Sequence, residues 1–260
     1  MLAFHAQSRE VSLEMISRRS FVFSSIATFA APHGTCGQAE RFRAFRFHTS
    51  EFHISLHWKD DKDQPFSSLA AVKRHLEGAG RRIHLLTNAG IFGQEGPLGL
   101  HIEAGRRLIP LNSNHGEGNF YWDPNGVFYI AGGRPNIIRT QDLLLPGVPD
   151  LPSNTDLAIQ SGPLLFDRQG VHEGFDKSRS TFIRNAVGVN PDGIIVFAIS
   201  TVPVMFKELA QHFLDEKCYA ALYLDGAISQ LWAHGDNGPS PDGRFAAIVA
   251  VTSKSPKGKK

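Results

Sequence analysis

The sequence predicts an α+β fold, a largely antiparallel or mixed β-sheet system with two main helices packed on it. Three observations lead there. Short apolar runs recur along the chain, several bounded by Pro, Asn, Asp and Gly clusters that suit tight turns. Only two stretches carry a clear helical period. Hydrophobic residues make up 42% and charged residues 20% of the 260 positions, the balance of a globular chain rather than a disordered or fibrous one.

The elements follow in order. Residues 42–58 read as a hairpin of two half-buried strands, because Phe45 and Phe47, then Phe52, Ile54, Leu56 and Trp58, keep one parity within each run. His53 and His57 share the opposite, more polar face; two histidines at that spacing can bind a metal, but no third ligand stands beside them, and a solvated face is the plainer reading. Residues 65–80 (PFSSLAAVKRHLEGAG) form the first helix: Ser67 or Ser68 caps it, Leu69, Val72 and Leu76 share a face, and glycines close it. Ile83 to Thr87 is a short apolar strand ending in Asn88-Ala89-Gly90.

Two turn signatures, Asp123-Pro124-Asn125-Gly126 and Asn190-Pro191-Asp192-Gly193, each lie between apolar runs and predict hairpins: 120–122 with 127–130, and 186–189 with 194–199. Residues 134–157, rich in proline and polar residues, read as a surface excursion. Residues 204–217 (VMFKELAQHFLDEK) form the second helix, with Met205, Phe206, Leu209 and Phe213 on one stripe. Tyr219 to Leu224 is a buried strand running into Asp225-Gly226, and residues 245–252 supply a last strand.

The chain divides into an N-terminal segment, 1–39, a domain over 40–253 and a basic tail over 254–260. In the first segment, Ser17-Arg18-Arg19-Ser20-Phe21-Val22 leads into a short apolar stretch ending at Ala31, and Gly37-Gln38-Ala39 supplies small residues. A paired arginine, a weak apolar core and a small-residue site read as a twin-arginine export signal, with Met15 as an alternative start. The expected location is periplasmic or secreted. The apolar stretch is well short of the roughly 20 residues that span a bilayer. Of the two cysteines, Cys36 belongs to the signal, which leaves Cys218 as a buried apolar side chain and no disulfide framework. A formal net charge of +2 implies no polyanion partner, so nucleic acid is not expected.

Standard catalytic signatures are absent: no GxSxG elbow, no phosphate-binding GxxxxGKS/T loop, no GxGxxG after a strand, no HExxH. What remains is a set of polar residues beside glycines at the ends of apolar strands. Asn88 follows IHLLT, Gln160-Ser161-Gly162 follow DLAI, Arg184-Asn185 precede AVGV, and Asp225-Gly226 follow ALYL. An acid at the end of a buried strand is poorly hydrated, so it needs a partner or a task. A capped turn, an internal Asp–Arg pair and an active site all satisfy that need.

The ordered segments NAGIFG, PLGLHIEAGRRL, GEGNFYWDPNGVF, AIQSGPLLFDRQG, IRNAVGVNPDG, FAIS and ALYLDGAISQLW resemble the phosphodiester glycosidase family over residues 41–253, most nearly its small exported bacterial members. It is the domain of a lysosomal enzyme that uncovers mannose 6-phosphate by removing N-acetylglucosamine from a phosphodiester. The resemblance implies hydrolysis of the C1–O bond of a sugar-1-phosphodiester. Its implied site comprises Asn88, Gly90, Gln160, Ser161, Gly162, Arg184, Asp225, Gly226 and Ser229. Two positions depart from the broader family: Ala227, where a second glycine is usual, and Asn185, where threonine or serine is common.

The residue types suit that chemistry. The leaving group is a phosphate monoester whose second pKa is about 6, so it departs with little protonation. One carboxylate and one cation then suffice: Asp225 as nucleophile or as base for water, Arg184 as a bidentate phosphate ligand. Glu117, in the loop His115-Gly116-Glu117-Gly118-Asn119, is the candidate second carboxylate, with Asn119 beside it as a substrate ligand; an exposed loop acid is the other reading. Tyr121, Trp122 and Trp232 suit either sugar stacking or the core. No metal ligands and no required cofactor are expected, although a structural divalent cation is compatible with the sequence. The expected partner is a small sugar phosphodiester or a cell-envelope glycan. Competing readings are a non-catalytic glycan-binding envelope protein and a metal-dependent phosphodiesterase. The oligomeric state is open.

Overall fold

A computed structural model describes residues 40–147 and 150–254; the predicted export signal with Cys36, and the tail beyond Lys254, lie outside the described residues. Strands β1 (Phe42–His48) and β2 (Phe52–His57) precede helix α1 (Leu69–Gly78). Then come β3 (Ile83–Asn88), β4 (His101–Glu103), β5 (Arg106–Ile109), β6 (Gly126–Ala131), β7 (Arg134–Arg139) and a one-turn helix α2 (Thr140–Leu143). They are followed by β8 (Thr155–Ser161), β9 (Leu164–Asp167), β10 (Gly170–Val171), β11 (Asn185–Val189), β12 (Ile194–Ser200), α3 (Phe206–Asp215), β13 (Ala220–Asp225), β14 (Leu231–Ala233) and β15 (Ile248–Ser253).

The strands form three sheets, ordered β1-β12-β11-β13-β9-β10, β14-β3-β15-β2 and β5-β4-β8-β6-β7. Their pairings are antiparallel. All three turn one face to a shared core, to which Phe47, Leu56, Leu85, Phe128, Ile159, Val187, Phe197, Leu222 and Val249 contribute. The opposite faces are covered separately. Helix α3 seals the six-stranded sheet with Phe206, Leu209 and Phe213 against Ala186, Val196 and Tyr223. Helix α1 seals the four-stranded sheet with Leu69, Val72 and Leu76 against Leu86 and Ile248. In β13, Leu222 and Leu224 therefore enter the shared core while Ala221 and Tyr223 enter the α3 layer. Burial on both faces is why this strand reads as a continuous apolar run instead of an alternation.

Both long helices lie within the predicted spans but are shorter. Ser67 has a positive φ of 60°, and Ser68 is the N-cap that accepts from Ala71 N at 3.2 Å, so α1 starts after Pro65-Phe66. Val204 is tied to Phe182 in a β-bridge, and Met205 N donates to Glu208 Oε2 at 2.8 Å, so α3 starts at Phe206. Cys218 is buried, as expected, and free.

The Asn190–Gly193 turn joins β11 to β12 as predicted, with Gly193 at φ 78° and Asn190 Oδ1 accepting from Asp192 N and Ile194 N. The Asp123–Gly126 turn does not join a hairpin. Residues 119–121 form one 3-10 turn that buries Phe120, and Asn125 Nδ2 donates to Phe120 O at 3.0 Å. Strand β6 instead pairs with β7 through Gly132-Gly133, both at positive φ, as a two-residue hairpin turn requires. Residues 134–157 are thus not simply an excursion: they hold β7, α2 and the start of β8. Pro135 misled the reading; it is tolerated because β7 is an edge strand, where a missing N–H breaks no ladder.

Candidate functional site

The site forms where β3, β11 and β13 end side by side. Asn185, the first residue of β11, lies opposite Asp225, the last of β13, while Ala186 lies opposite Tyr223. That register shift is a bulge, and a bulge re-aims the side chains beside it. It lets Asp225 turn toward Asn88 at the end of β3, in a different sheet.

Asp225 is 7% exposed. Its Oδ2 accepts from Asn88 Nδ2 at 2.7 Å, and its Oδ1 accepts from the backbone amides of Gly226 at 2.6 Å and Ala227 at 2.9 Å. Burial raises the carboxyl above its ordinary range, and the Ala227, Gly226 and Ile228 amides and the Asn88 side chain oppose that rise. Asn88 is itself fixed: its Oδ1 accepts from Gln230 N at 2.8 Å and from Asn185 Nδ2 at 3.1 Å. Asn185 Nδ2 also reaches Thr87 Oγ1 and Asn88 O. Ser229 Oγ donates to Asp225 O at 2.9 Å and lies 3.4 Å from Asn185 Oδ1. Asp225, Asn88, Asn185 and Ser229 are thus one polar network, and a carboxylate is its only charged member.

Arg184 is close by but differently housed. It is fully enclosed, at 0% exposure. Its Nε donates to Val204 O at 2.9 Å, Nη1 to the Tyr223 hydroxyl at 3.1 Å, and Nη2 to Ser180 O and Oγ at 3.1 and 3.0 Å. Its guanidinium carbon lies 3.6 Å from the centre of the Phe206 ring, a cation–π contact. Burial lowers its pKa, and Tyr223 counters that. The predicted phosphate fork is therefore committed to the protein's own acceptors in this conformation. The two charges meet through Tyr223 and Gly226: a Cβ on Gly226 would overlap the Tyr223 hydroxyl and come 3.1 Å from Arg184 Nη1. This is the position where glycine is indispensable, because the Asp225 turn lies directly on the Arg184–Tyr223 pair.

The remaining predicted residues separate into groups. Gly90, at φ 75°, lies against Ile159, and its missing Cβ would come 2.6 Å from Ile159 Cδ1. Ser161 is fully buried, with Oγ 3.4 Å from Leu224 O. Gly162 lies where a Cβ would come 2.7 Å from Phe120 O. Gln160 has both ends of its amide engaged. Oε1 accepts from Leu100 N and Asn112 N, and Nε2 donates to Asn112 O and Thr140 Oγ1. It braces the 98–112 segment. Asn119 is exposed, with Nδ2 3.5 Å from the Tyr223 hydroxyl, which brings the 115–119 loop to the Arg184 side. Glu117 is exposed in that loop. Trp232 is buried in the α1 layer, and Trp122 packs with His172, Phe175 and Phe206. Among the described residues, no group of three or more His, Cys, Asp or Glu side chains is placed to hold a metal ion.

Tyr223 was missed by sequence reasoning, which treated it as one apolar letter of a buried strand. The available signal was its position two residues before Asp225 in a chain with four tyrosines. A cleft of ≈ 600 Å³ beside β2, lined by His53, His57, Arg81 and Asp156 among others, shares no residue with the Asp225 network.

A family model described as phosphodiester glycosidase matches residues 81–252. An uncharacterized protein of Escherichia coli (strain K12), YigE, is 31% identical over 211 residues, covering 77% of this chain and 78% of its own. Among solved structures, the zebrafish N-acetylglucosamine-1-phosphodiester alpha-N-acetylglucosaminidase catalytic domain, auto-inhibited by its pro-peptide, has a TM-score of 0.54 at 15% identity. That match covers 84% of this chain and 85% of the other. A protein of Burkholderia pseudomallei K96243 has a TM-score of 0.52 at 12% identity, covering 82% of this chain and 74% of the other.

Proposed function

The chain belongs to the phosphodiester glycosidase family, and on that premise we propose that it hydrolyses the C1–O bond of a sugar-1-phosphodiester outside the cytoplasm. The observation that carries the reading is the Asp225 carboxylate: buried, raised in pKa, and held by neutral donors, with no cation hydrogen-bonded to it among the described residues. Turn amides of Gly226 and Ala227 occupy Oδ1, while Oδ2 is met by the Asn88 side-chain amide. An acid kept unpaired at a strand end, with its orientation fixed by three donors, is arranged to take a proton.

In this mechanism Asp225 accepts a proton from water as the water oxygen bonds to the anomeric carbon. The C1–O bond breaks with its electron pair going to the phosphate oxygen, releasing free sugar and a phosphomonoester. That leaving group needs no strong acid, since its second pKa is about 6. Arg184 acts from behind, sustaining positive potential at the leaving phosphate through the Tyr223 hydroxyl, while Asn119 and Ser229 meet the substrate's polar groups. Asn88 and Asn185 set the carboxylate's direction, and Gln160 holds the loop that borders the site. Export, read from residues 17–39, would place the enzyme where envelope glycans carry such diesters.

The test is turnover of sugar-1-phosphodiesters in ¹⁸O water with excess chelator present. The label should appear in the released sugar and not in the phosphate. Label in the phosphate would mean P–O cleavage and would overturn the assignment.

A further inference from the structure

A sugar-1-phosphodiester brings one negative charge to the Asp225 site, and its phosphate gains a second as the C1–O bond breaks. Such a group is held by a guanidinium, an ammonium or converging N–H donors. Arg184 does not touch it: the side chain is fully enclosed, and Nε, Nη1 and Nη2 each donate to the protein's own acceptors. The polar network around Asp225 contains no cation, so a direct cationic partner has to stand on a neighbouring segment.

Residues 242–247 form such a segment, tied at both ends to the neighbours of Asn88. Asp242 O accepts from Gln230 Nε2 at 3.2 Å, and Gln230 N is the donor to Asn88 Oδ1. Ala247 O accepts from Ala89 N at 2.9 Å, and Ala89 follows Asn88 in the chain. Between these anchors Phe245 N donates to Ser67 O at 2.9 Å, and a Cβ on Gly243 would come 2.9 Å from that same oxygen, so the backbone is closely held. Arg244 is two residues from Asp242 and three from Ala247, which keeps its Cα within about 7 Å of the first and about 11 Å of the second. Its side chain is exposed and makes no hydrogen bond or ion pair among the described residues. It lines a cleft of ≈ 650 Å³ together with Trp58, Phe92, Gln94, Glu95 and Phe245. The opposite wall leaves the same strand end, since residues 92–95 continue from Asn88-Ala89.

Resting on the hydrolase reading above, we infer that Arg244 is the direct phosphate ligand, and that the phosphate enters this cleft beside the Asn88 end of the site. A guanidinium offers two parallel N–H groups to two phosphate oxygens, a fit that strengthens as the second charge develops. The two arginines then differ in kind: Arg184 is committed to the protein, and Arg244 is left for the ligand. Glu95, the other charge on the cleft wall, is the competing partner, and the two form no ion pair here.

The experiment measures binding of inorganic phosphate by titration calorimetry, which needs no turnover. The wild type should bind it, and Arg244→Gln should bind about tenfold or more weakly, the loss expected for charge-assisted hydrogen bonds. Arg244→Lys should fall between, because an ammonium keeps the charge and loses the fork. Arg134→Gln, which removes an exposed cation on edge strand β7, should bind like the wild type. Arg244 holds nothing in the protein, so the thermal midpoints of its variants should match the wild type. No binding by the wild type, or equal binding by wild type and Arg244→Gln, overturns the inference. So does a thermal midpoint lowered alike by Arg244→Gln and Glu95→Gln with phosphate binding unchanged, which would assign Arg244 to an ion pair with Glu95.

Kinetics on sugar-1-phosphodiesters separate this inference from the reaction itself. A fall in kcat/KM of about tenfold or more for Arg244→Gln, with Arg134→Gln unaffected, supports both. If diesters are hydrolysed and Arg244→Gln keeps the wild-type kcat/KM, the phosphate seat falls and the reaction stands. If no diester is hydrolysed but phosphate binding depends on Arg244, the seat stands while the reaction falls.

Discussion

Asp225 and Arg184 are buried charges at the ends of neighbouring strands, yet the protein treats them oppositely. The carboxylate is met by neutral amides and retains some exposure; the guanidinium is packed on Phe206, with carbonyl and hydroxyl acceptors around it, and is fully enclosed. Neither neutralises the other directly. Breaking a buried ion pair costs stability because the surviving charge is stranded, and this arrangement avoids that dependence. It also leaves the carboxylate basic, which a direct Asp–Arg bridge would prevent. Under the proposed function, the comparison assigns the carboxylate to the reaction and the guanidinium to the frame around it.

The strongest test of that division is Asp225→Asn. Turnover should fall about 10³-fold, the range for losing a general base, with an unchanged circular dichroism spectrum. Activity at the wild-type rate would remove Asp225 from the mechanism. Next in size is Arg184→Lys, for which the frame role predicts a loss of both rate and stability. An ammonium cannot reproduce bonds to Val204, Tyr223 and Ser180 together, so unfolding stability should drop by roughly 2 kcal/mol, read from denaturant titration. If Arg184 were only a phosphate ligand, KM would rise with stability intact.

Tyr223→Phe sharpens the comparison by cutting the link and leaving both charges in place. About tenfold lower kcat, with a thermal midpoint near that of wild type, is expected if Arg184 acts through the hydroxyl. Unchanged kcat would mean that the link is structural. The smallest effect is a titration. Asn88→Ala removes a donor that favours the ionised carboxylate, so the Asp225 pKa rises further and the acidic limb of the pH–rate profile moves to higher pH. The wild-type rise has a stability counterpart. A carboxyl raised on folding contributes stability below its unfolded pKa, and that contribution is lost as pH rises through the folded pKa. The thermal midpoint of wild type relative to Asp225→Asn should accordingly fall as pH increases across that window.

How much of this was legible in the sequence differs by residue for physical reasons. Asp225 and Asn88 could be found because a polar residue ending an apolar strand is costly wherever it points. The Asn190–Gly193 hairpin was readable because its turn chemistry is local. Asp123–Gly126 has the same letters, but Asn125 answers to Phe120 and Thr140 instead of closing a ladder, and only tertiary contacts decide that. Gln160 looked like a ligand for the same strand-end reason as Asn88, yet its amide is spent on Asn112, Leu100 and Thr140. The bulge at Asn185, which aims the carboxylate, has no sequence signature at all.

The pairing of β2 with β15, and of β3 with β15, has a consequence for synthesis. Residues 52–57 and 83–88 leave the ribosome long before 248–253, so the four-stranded sheet has no centre until the last strand arrives. Strand β1 waits similarly for β12. Such long-range closure is slow and exposes strand edges meanwhile. Asn88, and with it the orientation of Asp225, therefore settles only after β15 has been made, and a stop codon before residue 248 is expected to take away the site although every residue named in it had been made.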